Sequence, residues 1–115
     1  MEFRGMKLKE ALPSKMIVNK IIFHPRVQEE LLQSFKWYEE TKLGLGELFF
    51  DLVNKKIIEL AEHPTRYPTI RKGFRQATIN KFPFVIIYEF INEEGYILIS
   101  SVFNTYRNPK LKFRK

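Results

Sequence analysis

The sequence contains no cysteine and no long run of apolar residues. Without thiols the chain cannot form a disulfide scaffold, a cysteine-ligated zinc or iron–sulfur site, or a thiol nucleophile, so packing must stabilise the fold. No stretch approaches the roughly 18 apolar residues that cross a bilayer, and the first residues lack the apolar region of a secretory signal. We therefore expect a cytoplasmic protein.

The chain contains too many apolar residues to be disordered. It has 115 residues, of which 44% are hydrophobic and eleven are phenylalanine. This length and composition predict one domain with a single buried core. Residues 1–15 have no clear period, and we expect them to form an extension, whose order the sequence leaves open, ahead of one domain at residues 16–115.

Acidic residues are scarce in the second half of the chain. Up to Glu62, ten Lys and Arg balance ten Asp and Glu, whereas from His63 onwards ten basic residues accompany only three acidic ones. The whole net charge of +7 therefore lies in residues 63–115. Such an asymmetry indicates a polyanionic or acidic partner for the basic half, although a mild basic excess also simply aids solubility.

Hydrophobic periodicity predicts two helices followed by strands. Apolar residues recur at helical spacing in two segments that flank a turn with Gly44 and Gly46, and the period changes to that of strands after Pro68. A β-branched segment before the first helix also predicts a strand. The predicted helices are Arg26 to Thr41 and Glu47 to Glu62, and the predicted strands are Met16 to Phe23, Phe74 to Phe82, Phe82 to Ile91 and Gly95 to Asn104.

This order, β-α-α-β-β-β, predicts an α+β fold of two layers. Because the helices are segregated from a run of strands, we expect an antiparallel sheet packed against a helical hairpin. The strand that ends at Ile91 is apolar on both faces, which predicts a central position in the sheet.

Few side chains suggest acid–base or metal chemistry. His24 and His63 each precede a proline at the junction of two predicted elements, where capping or solvated residues are common. Two histidines without cysteine do not predict a metal site, and no motif for a nucleotide or another cofactor is present. The helical acids Glu29, Glu30, Glu39, Glu40 and Glu59 are interpreted as a solvated face.

Basic residues interleaved with aromatic ones form the chemically suggestive cluster of the sequence. Guanidinium groups match phosphate or carboxylate oxygens, and aromatic rings such as Tyr67, Tyr106 and Phe113 can stack on unpaired bases. A basic tail is equally well explained as a solvated end of the chain. The predicted target-binding residues are Arg71, Lys72, Arg75, Lys81, Arg107, Lys110, Lys112 and Arg114.

The order of several segments resembles a family of bacterial toxins. IIFHPRVQEELLQSFKWYEE, GLGELFFDLVNKKIIELAEHPTRYP, FRQATINKFPFVIIYEF and SSVFNTYRNP follow one another as they do in the RelE/ParE superfamily of type II toxins. The chain is most similar to the ParE-like branch called plasmid stabilisation proteins. The resemblance runs from about Ile17 to Arg114.

The resemblance implies a toxin, a cognate antitoxin encoded beside it, and one of two targets. RelE-type toxins are metal-independent endoribonucleases that cut messenger RNA on the ribosome, whereas ParE-type toxins inhibit DNA gyrase. For a ribonuclease, the resemblance places Arg75 and Arg107 at the positions of the family's arginines, with Tyr106 beside the second. If the protein is a ribonuclease, the resemblance implies that Arg75, Tyr106 and Arg107 are its catalytic residues.

One position departs from the pattern of the ribonucleases. Many relatives have a histidine three residues before the second arginine, where this chain has Asn104. An amide cannot transfer a proton in the transition state, and such transfer is typically worth 10²–10⁴-fold in rate. We therefore favour a ParE-like gyrase inhibitor over a RelE-like ribonuclease. A third alternative is a protein of the toxin fold that only binds an antitoxin.

Overall fold

Two helices and five strands make up the part of the chain that the structure, a computed structural model, describes. This part is residues 19–106, so the predicted extension, the first residues of the predicted first strand and the basic tail lie outside it. The elements are β1 (Lys20–Phe23), α1 (Pro25–Thr41), α2 (Leu45–Glu62), β2 (Thr69–Arg71), β3 (Phe74–Thr78), β4 (Phe84–Ile91) and β5 (Tyr96–Asn104).

Side chains and a proline define where the two helices begin. His24 caps α1, because its imidazole accepts the backbone N–H of Arg26, and Pro25 occupies the first turn, where no N–H is needed. The start of α2 has no capping side chain of its own. Glu39 of α1 accepts the backbone N–H groups of Gly44 and Gly46 instead, at 3.2 and 2.8 Å. The Glu39 carboxylate of α1 therefore joins the two helices of the hairpin by capping the N-terminus of α2.

The helices cross closely at Gly46. A Cβ atom at this position would lie 2.8 Å from the carbonyl oxygen of Phe35 and 2.9 Å from its ring. Beyond this point the rings of Phe35 and Phe50 contact each other, with centroids 4.8 Å apart. The glycine thus allows an approach between α1 and α2 that any side chain would prevent.

The sheet has the order β1-β5-β4-β3-β2, with β4 at its centre, as its doubly apolar sequence predicted. Three features differ from the prediction. The predicted strand Phe74 to Phe82 ends at Thr78, because the chain turns at Lys81, where φ is positive. The sheet is mixed, because β1 pairs in parallel with β5 while the other pairs are antiparallel, and β2 is an additional edge strand of three exposed residues. The α+β class, with a helical hairpin packed on a sheet, is confirmed.

The main core lies between the helices and one face of the sheet. Its largest contacts are aromatic: the ring of Phe49 lies 5.2 Å from that of Phe82 and 4.9 Å from that of Phe84, and the ring of Tyr38 lies 4.8 Å from that of Phe82. Rings at these distances and inclinations add to the stabilisation from burial. Among the described residues, no helix is long and apolar enough to span a bilayer.

Replacing Gly46 with alanine should destabilise the fold despite the better helix propensity of alanine. The new methyl group would collide with the backbone of Phe35, which cannot move without shifting α1. We expect a loss of about 1–3 kcal/mol in the free energy of unfolding, measured by urea denaturation. The control is Asp51→Ala on the exposed side of α2, which should change stability by less than about 0.5 kcal/mol. Equal stabilities of the two variants would contradict the close crossing.

Candidate functional site

The described basic candidates lie at both ends of the sheet. Arg71 and Lys72 are at the tip of the β2–β3 hairpin, next to the pair formed by Phe74 and Glu89. Lys81 is in the β3–β4 loop, beyond the pair formed by Thr78 and Val85. Four residues of β4, or about 13 Å, separate these two pairs. All three cationic side chains are exposed, but they do not converge on one point.

Lys72 and Lys81 both have the left-handed backbone conformation that favours glycine. The φ angle is 44° at Lys72 and 71° at Lys81, and Lys72 is followed by Gly73 with φ of 86°. Two successive positive φ angles fit a two-residue type I′ hairpin, in which asparagine is usual at the first position. A lysine in this conformation costs roughly 1 kcal/mol relative to a residue that tolerates it. The turn therefore presents a cation at a strained position.

Arg75 is on the helix-facing side of the sheet rather than on an exposed surface. It pairs with Tyr88, whose ring belongs to the main core, and its guanidinium donates a hydrogen bond to the backbone carbonyl of Tyr67. The hydroxyl of Tyr88 likewise donates to the carbonyl of Pro64, at 3.0 Å. Both contacts fasten the loop between α2 and β2 to the sheet.

The same loop is held on its other side by Glu59 of α2. The Glu59 carboxylate accepts hydrogen bonds from Lys56 at 3.0 Å, Arg66 at 2.9 Å and the Tyr67 hydroxyl at 2.8 Å. Lys56 also donates to the Tyr67 hydroxyl at 2.9 Å. We call Lys56, Glu59, Arg66 and Tyr67 the Glu59 cluster. Within it, Glu59 forms salt bridges with Lys56 and Arg66.

The electrostatics of this cluster favour its charged form. Desolvation alone would raise the pKa of Glu59, but the hydrogen bonds from Arg66, Lys56 and Tyr67 outweigh it and lower the pKa to about 2. Desolvation would lower the pKa of Lys56, whereas its bonds to Tyr67 and Glu59 raise it overall. Burial raises the pKa of Tyr88 to about 12, so this hydroxyl stays protonated and can donate to the loop.

Tyr106 lies at the other end of the sheet from Arg75. It is two residues beyond Asn104, the last residue of β5. Asn104 pairs with Phe84, which is four residues along β4 from Tyr88, the partner of Arg75. The Tyr106 side chain is 86% exposed. Burial and, secondarily, the electrostatic influence of Tyr106 raise the pKa of Tyr38 in α1. Arg107, Lys110, Lys112 and Arg114 lie outside the described residues.

Asn104 and the two histidines have structural contacts. The Asn104 side-chain oxygen accepts the backbone N–H of Tyr106 at 2.9 Å, which shapes the turn after β5. His24 caps α1 and bonds to Arg26, and the backbone N–H of His63 closes α2 by donating to the backbone carbonyl of Glu59. Within residues 19–106, no group of three or more potential ligands from His, Cys, Asp and Glu could hold a metal ion.

The interpretation of the helical acids as a solvated face was wrong for three of them. Glu39 caps α2, Glu59 centres its cluster, and Glu30 bonds to β5. The Glu30 carboxylate accepts the hydroxyl of Ser101 at 2.9 Å and the backbone N–H of Val102 at 3.0 Å, beyond the point where β1 ends. Glu30 thereby bonds to the part of the β5 edge that does not pair with β1. Of these three roles, only that of Glu59 had a local signal in the sequence, because the spacing of Lys56 and Glu59 suits a helical ion pair.

A small cleft adjoins this edge, between α1 and the end of β5. Its lining combines the polar side chains of Glu30, Ser34 and Asn104 with apolar ones. The cleft does not include Arg75 or any of the exposed lysines, so it does not unite the predicted site residues. The remaining lining residues are Phe84, Val102 and Phe103.

Comparison with known protein families identifies the class of protein. The model of the ParE toxin of the type II toxin-antitoxin system, parDE, matches residues 21–109, which is most of the chain. The chain belongs to this family. The predicted resemblance to RelE/ParE toxins is therefore confirmed. Among curated protein sequences, none matches the chain significantly.

Solved structures show the same fold at low sequence identity. A structure of the chromosomal ParDE TA system from P. aeruginosa contains a chain with a TM-score of 0.65 and 12% identity, and the match covers 75% of this toxin and 95% of that chain. The intact E. coli RelBE toxin-antitoxin complex gives 0.61 and 17%, covering 77% and 99%. The isolated E. coli RelE toxin gives 0.59 and 18%, covering 82% and 92%.

The Glu59 cluster should make the stability of the toxin depend on pH in acid. Because the pKa of Glu59 falls from 4.5 to about 2 on folding, its contribution is fully present above about pH 4.5 and is lost as the pH falls towards 2. Glu59→Gln should lose this component and be less stable by about 1–3 kcal/mol at pH 6. Urea denaturation at pH 6 and pH 3 measures both effects.

The matched control is Glu62→Gln, which removes a carboxylate from the same end of α2 but outside the cluster. It should keep the acid-dependent loss of the unchanged protein. The assignment to Glu59 would be contradicted if the difference in unfolding free energy between pH 6 and pH 3 were the same in Glu59→Gln as in the unchanged toxin.

Proposed function

We propose that this toxin inhibits DNA gyrase and that a cognate antitoxin neutralises it. The observation that carries the choice of target is the separation of Arg75 from Tyr106. These are the two described members of the implied ribonuclease set. Tyr88, which pairs with Arg75, and Phe84, which pairs with Asn104 just before Tyr106, lie about 13 Å apart along β4. Groups that share a proton transfer or a single phosphate must lie much closer together in their working geometry.

The contacts of Arg75 support the same choice. Its guanidinium is engaged with the carbonyl of Tyr67, on the side of the sheet that faces the helices. A scissile phosphate would have to displace that contact and enter beside the core. Asn104, at the position where ribonuclease relatives have a histidine, supplies no proton and already accepts the N–H of Tyr106. An inhibitor, which acts by binding, needs neither group to take part in chemistry.

The exposed basic turn is the part of the described chain that best suits target binding. Lys72 and its neighbour Arg71 project from an edge hairpin, and Ile70 of the same strand is 46% exposed. An exposed apolar residue beside two cations is a common composition of protein-binding surfaces.

A partner antitoxin follows from the family and from the charge. The similar structures include toxin-antitoxin complexes, named for ParDE and RelBE. In this toxin the excess of +7 belongs to residues 63–115, so an acidic partner segment that folds on binding would complement it. Binding of such a segment should weaken as salt rises.

The choice between gyrase and the ribosome can be tested with the purified toxin. We expect it to inhibit supercoiling by gyrase and to leave messenger RNA on programmed ribosomes intact. Tyr106→Phe should retain inhibition within about twofold, because the exposed ring is kept and only a hydroxyl is lost. Cleaved message with unimpaired supercoiling, abolished by Tyr106→Phe, would instead establish the ribonuclease. Absence of both activities, with antitoxin binding intact, would leave the binding-only alternative.

The strained lysines provide a matched pair of variants that locates the surface for gyrase. Lys72→Asn and Lys81→Asn each remove one charge and place a more tolerant residue at a positive φ angle. Both should raise the free energy of unfolding, by about 0.5–1 kcal/mol. We expect Lys72→Asn alone to weaken inhibition of supercoiling by several-fold. Equal inhibition by the two variants would rule out the β2–β3 turn as the binding surface.

A further inference from the structure

The face of the sheet that is turned away from the helices carries a second, separate core. We call this the open face. Phe74, Val85, Ile87 and Phe103 form a cluster there, with exposures of 3%, 2%, 0% and 5%. All four belong to strands, and no residue of α1 or α2 is part of the cluster. Some other segment must therefore exclude water from it.

The burial is confined to one patch of the open face. Thr78, which pairs with Val85, is exposed, and Leu98, which pairs with Glu89 on the same face, is only half-buried. Curvature of the sheet would shield neighbouring positions to a similar degree. A covering segment over the patch explains why Ile87 is inaccessible while Thr78 is not.

A buried polar atom in the same patch also indicates that something lies over it. Gln76 pairs with Ile87 and so shares its face. Its side-chain oxygen is buried and has no hydrogen-bond donor. An amide oxygen on an uncovered sheet would be hydrated, so its burial requires a neighbouring group above the sheet.

We propose that the open face is the docking surface for the amino-terminal segment of the same chain, residues 1–18. This segment directly precedes β1, which is two strands, or about 10 Å, from β4. Eighteen residues can span up to about 60 Å, so its length is ample. It also offers apolar side chains to the cluster, among them Met1, Phe3, Met6, Leu8, Leu12 and Ile17.

The composition of the other end of the chain disfavours it as the occupant. Residues 107–115 contain five basic side chains and only two large apolar ones, Leu111 and Phe113. Placing that many cations against a phenylalanine-rich patch would desolvate more of them than the single acidic residue of the described strands, Glu89, could compensate. The proposal concerns the fold of the toxin and does not depend on whether gyrase is its target.

Cysteine cross-linking tests the proposal directly, because the natural chain has no thiol that would interfere. Gln76→Cys places a thiol in the patch and is combined in turn with Phe3→Cys, Leu8→Cys and Leu12→Cys. The control partner is Lys55→Cys, which is exposed on α2 on the far side of the sheet. Under mild oxidation, at least one Gln76→Cys pair should cross-link within the monomer at several times the yield of the corresponding Lys55→Cys pair.

Three outcomes would overturn the proposal. One is equal yield from the two sets of pairs. Another is a cross-link found only in a dimer, which would make a second copy the occupant. The third is preferential cross-linking of Gln76→Cys to Lys110→Cys, which would assign the face to the carboxyl-terminal residues instead.

Methyl resonances provide a second measurement on chains without cysteine. Deleting residues 1–18 should shift the side-chain signals of Val85 and Ile87 while leaving that of Ile57, in the main core, nearly unchanged. It should also increase binding of a hydrophobic dye several-fold. Deleting residues 107–115 should do neither. Unchanged signals of Val85 and Ile87 after the first deletion would refute the proposal, and if that variant does not fold the cross-linking decides.

Discussion

The register between β3 and β4 decides which candidate residues of this toxin can meet a target. β4 is buried on both faces, so a shift of one residue in its pairing would exchange the side chains that fill the two cores, Ile86 and Tyr88 on one face and Val85 and Ile87 on the other. Because that cost fixes the register, Arg75 must lie opposite Tyr88 on the helix side, and Gln76 must lie opposite Ile87 on the other side. Arg75, the arginine that the resemblance to RelE-type toxins implies as catalytic, therefore supports the loop between α2 and β2.

The same loop connects the stability of the fold to the presentation of the basic turn. Glu59 holds the loop to α2, while Arg75 and Tyr88 hold it to the sheet. The loop leads directly into β2, an edge strand whose three residues are all exposed and which pairs with β3. The hairpin tip with Lys72 thus depends for its position on charged and polar contacts at the end of α2, rather than on apolar packing of its own strand.

The features that could be predicted from the sequence are those with a local period. Both helices end at the predicted residues Thr41 and Glu62, and the central strand was identified by its lack of alternation. β2 could not be found in this way, because three exposed residues leave no hydrophobic pattern. The parallel pairing of β1 with β5 joins residues about 76 positions apart and has no local signal. The roles of Glu30 and Glu59 depend on the same kind of distant contact.

Segregation of charge along the sequence does not by itself produce one cationic surface. Arg71 and Lys72 are at one end of the sheet and Lys81 is at the other, because an antiparallel hairpin carries successive turns to opposite ends. A target that bound both ends at once would have to extend along the sheet. A compact contact can use only one of them. The apolar residue Ile70 adjoins the first end. The second end adjoins a turn in which the Asn104 side chain accepts the N–H of Tyr106 and the Pro83 carbonyl accepts the N–H of Thr105. This difference in surroundings, rather than the number of charges, favours the β2–β3 turn as the binding surface.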